Sequence, residues 1–262
     1  MLDLPCHVVP GIDDGPATLE DAIALCRAAA AAGTTALIAT PHVSWDYPAV
    51  NAAVVHAGVA AVNAALGGQS IDVRVRAGAA FAISRVGDLS DAEVGVLRLG
   101  GGPYSLLECP HAGGAPSGVR ESLRLFATRG HAIVLGHPER SKVFQSNPRM
   151  LESLVEGGAL CCITARSLTG DFGLPSRAYA WDLLASGLVH AIASDAHDVA
   201  GRPPDLGPQL DQAGLSESEI DYVAREAPEA IIAGAPVPPP PHVAGPYAGR
   251  WPLRRRRVRP PL

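Results

Sequence analysis

Aromatic residues make up only 5% of the chain, charged residues only 18%, and cysteines number five in 262. With a formal net charge of −5, the chain lacks the basic footprint that a nucleic-acid-binding surface needs; RRRRVR at 254–259 is a local exception. No apolar run approaches the ~18–20 residues of a membrane-spanning helix. The start, MLDLPCHVVPG, shows no charged n-region, apolar h-region or small-residue cleavage site. A cytoplasmic protein with no membrane span and no nucleic-acid partner is therefore expected. The cysteines (Cys6, Cys26, Cys109, Cys161, Cys162) are odd in number and show no CxxC spacing, which argues against a disulfide framework and a cysteine-based zinc site. Buried, reduced thiols are expected instead. None is followed by arginine six positions on, so a cysteine-phosphoenzyme route is unsupported.

Hydrophobic residues, by contrast, reach 47%, enough to build a sizeable interior. Short apolar runs recur at 4–9, 34–41, 71–78, 104–110, 131–138, 159–164 and 189–194, separated by helix-length segments. Thr18 with Asp21 reads as a capping box opening an Ala-rich helix that Gly33 closes, and Asn147-Pro148 reads as a second helix start. Further helices are expected near 47–66, 117–129, 176–186 and 216–225. This alternation predicts an α/β fold with a parallel sheet covered by helices. Seven strands in a chain close to the ~250 residues usual for such barrels favour a distorted seven-stranded (β/α)7 barrel over an open doubly wound sheet. After Gly234 the proline density forbids helix and sheet ladders. Residues 1–234 are read as one domain and 235–262 as a disordered Pro/Arg-rich tail.

In α/β barrels the C-terminal ends of the strands converge on one mouth. Those ends carry His7 with Asp13 and Asp14, then His42, Glu108, His137, and Asp195 with His197. Burying that many acids and imidazoles together is prohibitive unless cations or tight pairing compensate them. Along a strand, residues two apart share a face, which aims Asp195 and His197 into one pocket. Mixed histidine and carboxylate ligands suit Mn²⁺, Fe²⁺ or Zn²⁺. Arg140 and Arg202 flank the set and could grip phosphate. His56, His111, His131, His190 and His242 lack strand-end placement and are taken as structural or solvated.

The stretches HVVPGIDDGP (7–16), IATPH (38–42), LLECP (106–110), GHPER (136–140), SLTGDFG (167–173) and GLVHAIASDAH with RPP (187–204) resemble the polymerase and histidinol phosphatase (PHP) superfamily. Within it they look like the CpsB/CapC/YwqE type of manganese-dependent protein-tyrosine phosphatase. The resemblance spans roughly residues 1–236. It implies a PHP-type barrel holding up to three divalent ions, most often Mn²⁺, and a metal-activated hydroxide that attacks phosphotyrosine. The implied partner is the phosphotyrosine-containing tail of a tyrosine kinase governing capsule or exopolysaccharide biosynthesis. The implied ligands are His7, Asp14, His42, Glu108, His137, Asp195 and His197, with Arg140 and Arg202 as phosphate contacts.

Two positions depart from the family pattern. Pro5 stands where the family opens an HxH pair, and Ala80 stands where it places a glutamate bridging two ions. The surviving groups split into Asp14, His42 and His197, and Glu108 with His137, leaving His7 and Asp195 between them, so one to three ions are expected. Three functions follow from these residues: a metal-dependent tyrosine phosphatase, a catalytically impaired pseudo-phosphatase that binds phosphotyrosine, or a phosphoesterase acting on a small metabolite such as histidinol phosphate. GIDDGP and the SDAH…RPP ending favour the tyrosine-phosphatase branch over the last. The sequence leaves homo-oligomer formation open.

Overall fold

A computed structural model describes residues 1–111 and 113–246. Nine strand segments form two parallel sheets: β1 (Leu2–Cys6), β2 (Ala36–Ala39) and β4 (Arg74–Ala77) in one, and β3 (His42–Val43), β5 (Ala80–Ala82), β6 (Tyr104–Glu108), β7 (Ala132–Gly136), β8 (Leu160–Thr164) and β9 (Ala191–Ala193) in the other. Each of the seven apolar runs contains or overlaps a strand. The increase to nine has a local cause. Pro41 lacks the N–H a ladder needs, so β2 stops before it and β3 resumes after it. Gly78, where a Cβ would sit 3.0 Å from Ile38 Cγ2, likewise separates β4 from β5.

The two sheets are one distorted barrel. β9 returns to β1 through a bridge between Cys6 and Ala196, with His7 N–H donating to Ala196 O at 2.8 Å and Asp195 N–H to Pro5 O at 3.2 Å. β1 carries an irregularity between Asp3 and Cys6, where Thr40 Oγ1 accepts from Cys6 N–H at 3.0 Å. Inside, Leu4, Ile38, Leu106, Val134 and Ala193 form a buried apolar cluster, and Ala80 lies in it. A larger cluster fills the space between strands and helices.

The helices follow their sequence signals with two differences. Thr18 and Asp21 make the full capping box on helix Leu19–Ala31. Helix Pro148–Glu156 starts at Pro148 as expected, but Asn147 does not cap it: its Nδ2 donates to Val143 O, 3.1 Å away, in the preceding turn. The segment expected near 216–225 is helical only over Glu217–Asp221, then widens into a π turn, Tyr222–Glu226, and continues as helix Ala227–Ala233. All five cysteines are buried and free.

Residues 235–246 carry neither helix nor strand and run along the body: Tyr222 Oη donates to Pro238 O at 2.7 Å, and Val243 is buried with its N–H on Leu184 O. The basic run at 254–259, and with it the rest of the expected tail, 247–262, lies outside the described residues.

Candidate metal centre

Each polar strand end arrives at the same mouth. His7 directly follows β1, and Asp13 and Asp14 sit in the next turn. That turn can tuck against His7 because position 15 has no side chain: a Cβ on Gly15 would come within 3.0 Å of both His7 Cβ and His7 O. His42 opens β3, Glu108 ends β6, His137 follows β7, and Asp195 and His197 follow β9.

The cluster has two parts. Asp14 Oδ1 lies 3.4 Å from both His42 Nε2 and His197 Nε2, and His7 Nδ1 lies 3.9 Å from the same oxygen. His7, Asp14, His42 and His197 each place a ligand atom within 4.8 Å of every other. In the second part His137 Nε2 is 3.4 Å from Glu108 Oε1 and 3.3 Å from Asp195 Oδ1. His42 Nδ1, 3.0 Å from Glu108 Oε2, and His7 Nε2, 3.9 Å from Asp195 Oδ1, connect the two. Donors bound at ~2.1 Å to a tetrahedral ion stand about 3.4 Å apart, so these spacings are compatible with ligand sets.

The imidazoles are oriented as ligands are. His7 Nδ1 hydrogen-bonds Asp13 Oδ2 at 2.6 Å, His137 Nδ1 meets Thr164 Oγ1 at 2.7 Å, and His197 Nδ1 meets Asp195 O at 2.9 Å. In all three the Nε2 is buried with no hydrogen-bond partner among the described residues. A buried ring nitrogen left without a hydrogen bond costs free energy. Three of them aimed into one cluster of carboxylates fit a cation that their outer nitrogens hold ready to bind. The donor set, nitrogen and oxygen without sulfur, suits borderline-to-hard divalent ions.

Electrostatics agree. Burial pushes the carboxyls of Asp195 and Glu108 up, yet His137 with Arg202 and His7 holds Asp195 well below the usual range, and His137 with His42 does the same for Glu108. Burial also opposes the charge on His137, but Asp195 and Glu108 raise it to about 9. Without a metal, imidazolium supplies the positive charge the carboxylates demand; a divalent ion replaces that charge and releases protons.

Arg140 and Arg202 converge on the far oxygen of Asp195: Arg140 Nη1 donates to Oδ2 at 2.8 Å, and Arg202 Nη2 pairs with the same atom. The Arg140 guanidinium also lies 4.0 Å over the Phe172 ring, which gives the Asp-Phe-Gly part of SLTGDFG a structural role. Above the cluster opens a cleft of about 470 Å³.

The structure thus brings together all nine sequence-singled residues: His7, Asp14, His42, Glu108, His137, Arg140, Asp195, His197 and Arg202. Asp195 and His197 do not lie on a strand, contrary to what their spacing predicts. β9 ends at Ala193, and Asp195 adopts a left-handed conformation (φ 55°), so a turn and not strand alternation aims the two side chains. His111 also differs from expectation, because it lines the cleft with its ring 6.5 Å from that of His137. The other four unassigned histidines make contacts away from the cluster: His56 with Val96 O, His131 with Asp91, His190 with Cys161 N–H, and His242 with Ala185 O. Thr164 was not singled out from sequence; a threonine at a strand end carries no distinctive signal.

Comparison with known proteins agrees with this geometry. The pattern of the family described as "Capsular polysaccharide synthesis, CpsB/CapC" matches residues 1–232. The tyrosine-protein phosphatase YwqE of Bacillus subtilis is 33% identical over 202 residues, which are 77% of this chain and 79% of that protein. A putative tyrosine-protein phosphatase, CapC of Staphylococcus aureus, is 30% identical over 208 residues, 78% of this chain and 79% of that one. Among solved structures, one from a study of YwqE from Bacillus subtilis and CpsB from Streptococcus pneumoniae, described as unique metal-dependent tyrosine phosphatases, superposes with a TM-score of 0.79 at 31% identity. It covers 93% of this chain and 100% of its own.

Proposed function

The chain belongs to the CpsB/CapC family of capsular polysaccharide synthesis proteins, and from that premise we propose that it is a metal-dependent protein-tyrosine phosphatase. Its substrate is the phosphotyrosine-containing tail of a bacterial tyrosine kinase of capsule or exopolysaccharide biosynthesis, and its place of action is the cytoplasm. The observation that carries this reading is the set of three bare Nε2 atoms facing ionised carboxylates beside two arginines.

This chain would hold two divalent ions, preferably Mn²⁺. Asp14, His42 and His197, with His7 beside them, form one donor set; Glu108, His137 and Asp195 form the other. Pro5 and Ala80 leave no ligand for a third. When bound, such ions supply an activated water and neutralise phosphate charge. The protein's own groups do the rest. Arg140 and Arg202 offer planar guanidinium forks to the non-bridging phosphate oxygens. Asp195 holds both forks through Oδ2 while turning Oδ1 toward His137, so the phosphate grip and the donor cluster are registered to one carboxylate. Asp13 and Thr164 fix the rings of His7 and His137.

Pro5 and Ala80 also support a second reading, a phosphotyrosine-binding protein that does not turn over. Hydrolysis of a phosphotyrosine peptide by the full chain, with and without added Mn²⁺, decides between them. Metal-dependent release of phosphate is expected. Binding of the peptide by metal-loaded protein without release would establish the second reading, and neither binding nor release would remove both.

A further inference from the structure

Among the described residues that line the cleft, Tyr47 carries the one aromatic ring that is not an imidazole. Its face lies on His42, with centroids 5.8 Å apart and planes 12° from parallel, a normal separation for a stacked aromatic pair. His42 in turn places Nε2 3.4 Å from Asp14 Oδ1. Tyr47 is therefore an apolar surface separated from Asp14 by a single ring, that of His42. Ile83 and Pro110 also line the cleft, without an aromatic face.

The segment carrying Tyr47 is fastened from the side. The Arg85 guanidinium carbon lies 4.2 Å over the Trp45 ring, and Arg85 Nη1 donates to Ser44 O at 3.3 Å. These contacts tie residues 44 and 45 to the turn Ile83–Arg85, so the segment that leads into Tyr47 is anchored on one side while the Tyr47 ring stacks on His42.

We propose that Tyr47 is the specificity-determining residue for the aryl group of the substrate. This rests on the phosphatase reading above and deepens it. With phosphate at Arg140 and Arg202, the carbon skeleton of a monoester begins one ester oxygen from phosphorus and must continue along the cleft wall. A phenyl ring there lies against the ring of Tyr47. The short aliphatic arm of a serine or threonine ester has no face to offer. Selection for aryl over alkyl phosphates thus comes from one residue outside the donor cluster.

The test uses the full chain loaded with Mn²⁺ and two peptides that differ only in phosphotyrosine or phosphoserine, with calorimetric affinities for phenylphosphonate and methylphosphonate. Tyr47→Ala is expected to lower the aryl-to-alkyl ratio of kcat/KM about tenfold, equivalent to about 1.4 kcal/mol. It should weaken phenylphosphonate and spare methylphosphonate, with bound metal unchanged; Tyr47→Phe should stay within about twofold of the parent. An unchanged ratio would overturn the proposal. So would equal losses on both substrates with loss of metal, which would assign Tyr47 to holding His42. If the parent protein turns over neither peptide, the phosphatase reading fails, and the phosphonate affinities still decide whether Tyr47 selects aryl groups: equal affinities, or none, would overturn it.

Discussion

His137 and Asp195 meet through Nε2 and Oδ1 at 3.3 Å, and both hold left-handed backbones, with φ of 50° and 55°. Such conformations cost residues other than glycine of the order of 1–3 kcal/mol each and persist where surrounding structure enforces them. Here the enforcement is visible. His137 N–H bonds to Cys162 O at 2.9 Å, and Asp195 N–H bonds to Pro5 O, so the two turns are locked to neighbouring strands. The strain turns an acid and an imidazole from non-adjacent strands toward one point.

Removing the group that orients His137 should weaken metal binding without unfolding the protein. Thr164→Val eliminates the acceptor for His137 Nδ1, and Asp13→Asn disturbs the bond to His7 Nδ1. Each is expected to lower metal affinity 10–100-fold, read by competition with a chromophoric chelator. Unchanged affinity would mean that these bonds do not set the ring orientations.

Replacing either arginine with lysine keeps the charge and loses the planar fork. Arg140→Lys and Arg202→Lys should each reduce kcat/KM on a phosphotyrosine peptide roughly 10–100-fold with metal content intact. A parallel loss of metal would show that the arginines matter through Asp195 and not through phosphate.

Asp3 gives the fold a pH dependence of its own. It is fully buried, and burial raises its carboxyl from 3.8 to about 7 against two bonds from Ser194. A folded-state value above the unfolded one stabilises the protein below about pH 4, and that contribution is lost as pH rises through about 7. The full effect is roughly 4 kcal/mol for the metal-free protein. Asn at this position reproduces the neutral acid: its oxygen accepts from Ser194 N–H and its amide donates to Ser194 Oγ. Asp3→Asn should therefore be the more stable protein at pH 8 and flatten the pH profile in denaturant titrations. A variant less stable than the parent at pH 8 would contradict this.

Restoring the two departed side chains should add an ion. Ala80 lies in the apolar interior, in register with His42, so a glutamate there is costly without a cation. Pro5→His with Ala80→Glu is expected to be destabilised when metal-free, to bind one ion more per chain, and to gain more thermal stability on adding Mn²⁺ than the parent does. A folded double variant with no additional ion would show that these positions do not face the metal site.

Much of this was legible in the sequence because strand ends in parallel barrels are directional: an acid or imidazole after an apolar run has one mouth to enter. GIDDGP, GHPER and SDAH offer candidates at those ends, and the resemblance to the PHP superfamily implies their roles as ligands and phosphate contacts. What was not legible depends on contacts between distant segments. The left-handed turn at Asp195 and the irregularity in β1 exist because neighbouring strands supply partners. Asn147 sits at the start of a helix, yet the carbonyl of Val143 takes its amide. Thr164, Tyr47 and His111 are ordinary residues whose importance comes from their neighbours, so their types and spacings carry no warning.

The proposed phosphatase depends on acids and imidazoles at the ends of β1, β3, β6, β7 and β9 holding divalent ions together. Elemental analysis after equilibrium dialysis against Mn²⁺ tests it most directly, comparing the parent with His197→Ala and His137→Ala. Two ions per chain are expected, falling to one in each variant, with the fold retained by circular dichroism. Less than one ion per chain in the parent, or two in both variants, would show that these residues do not form the metal centre.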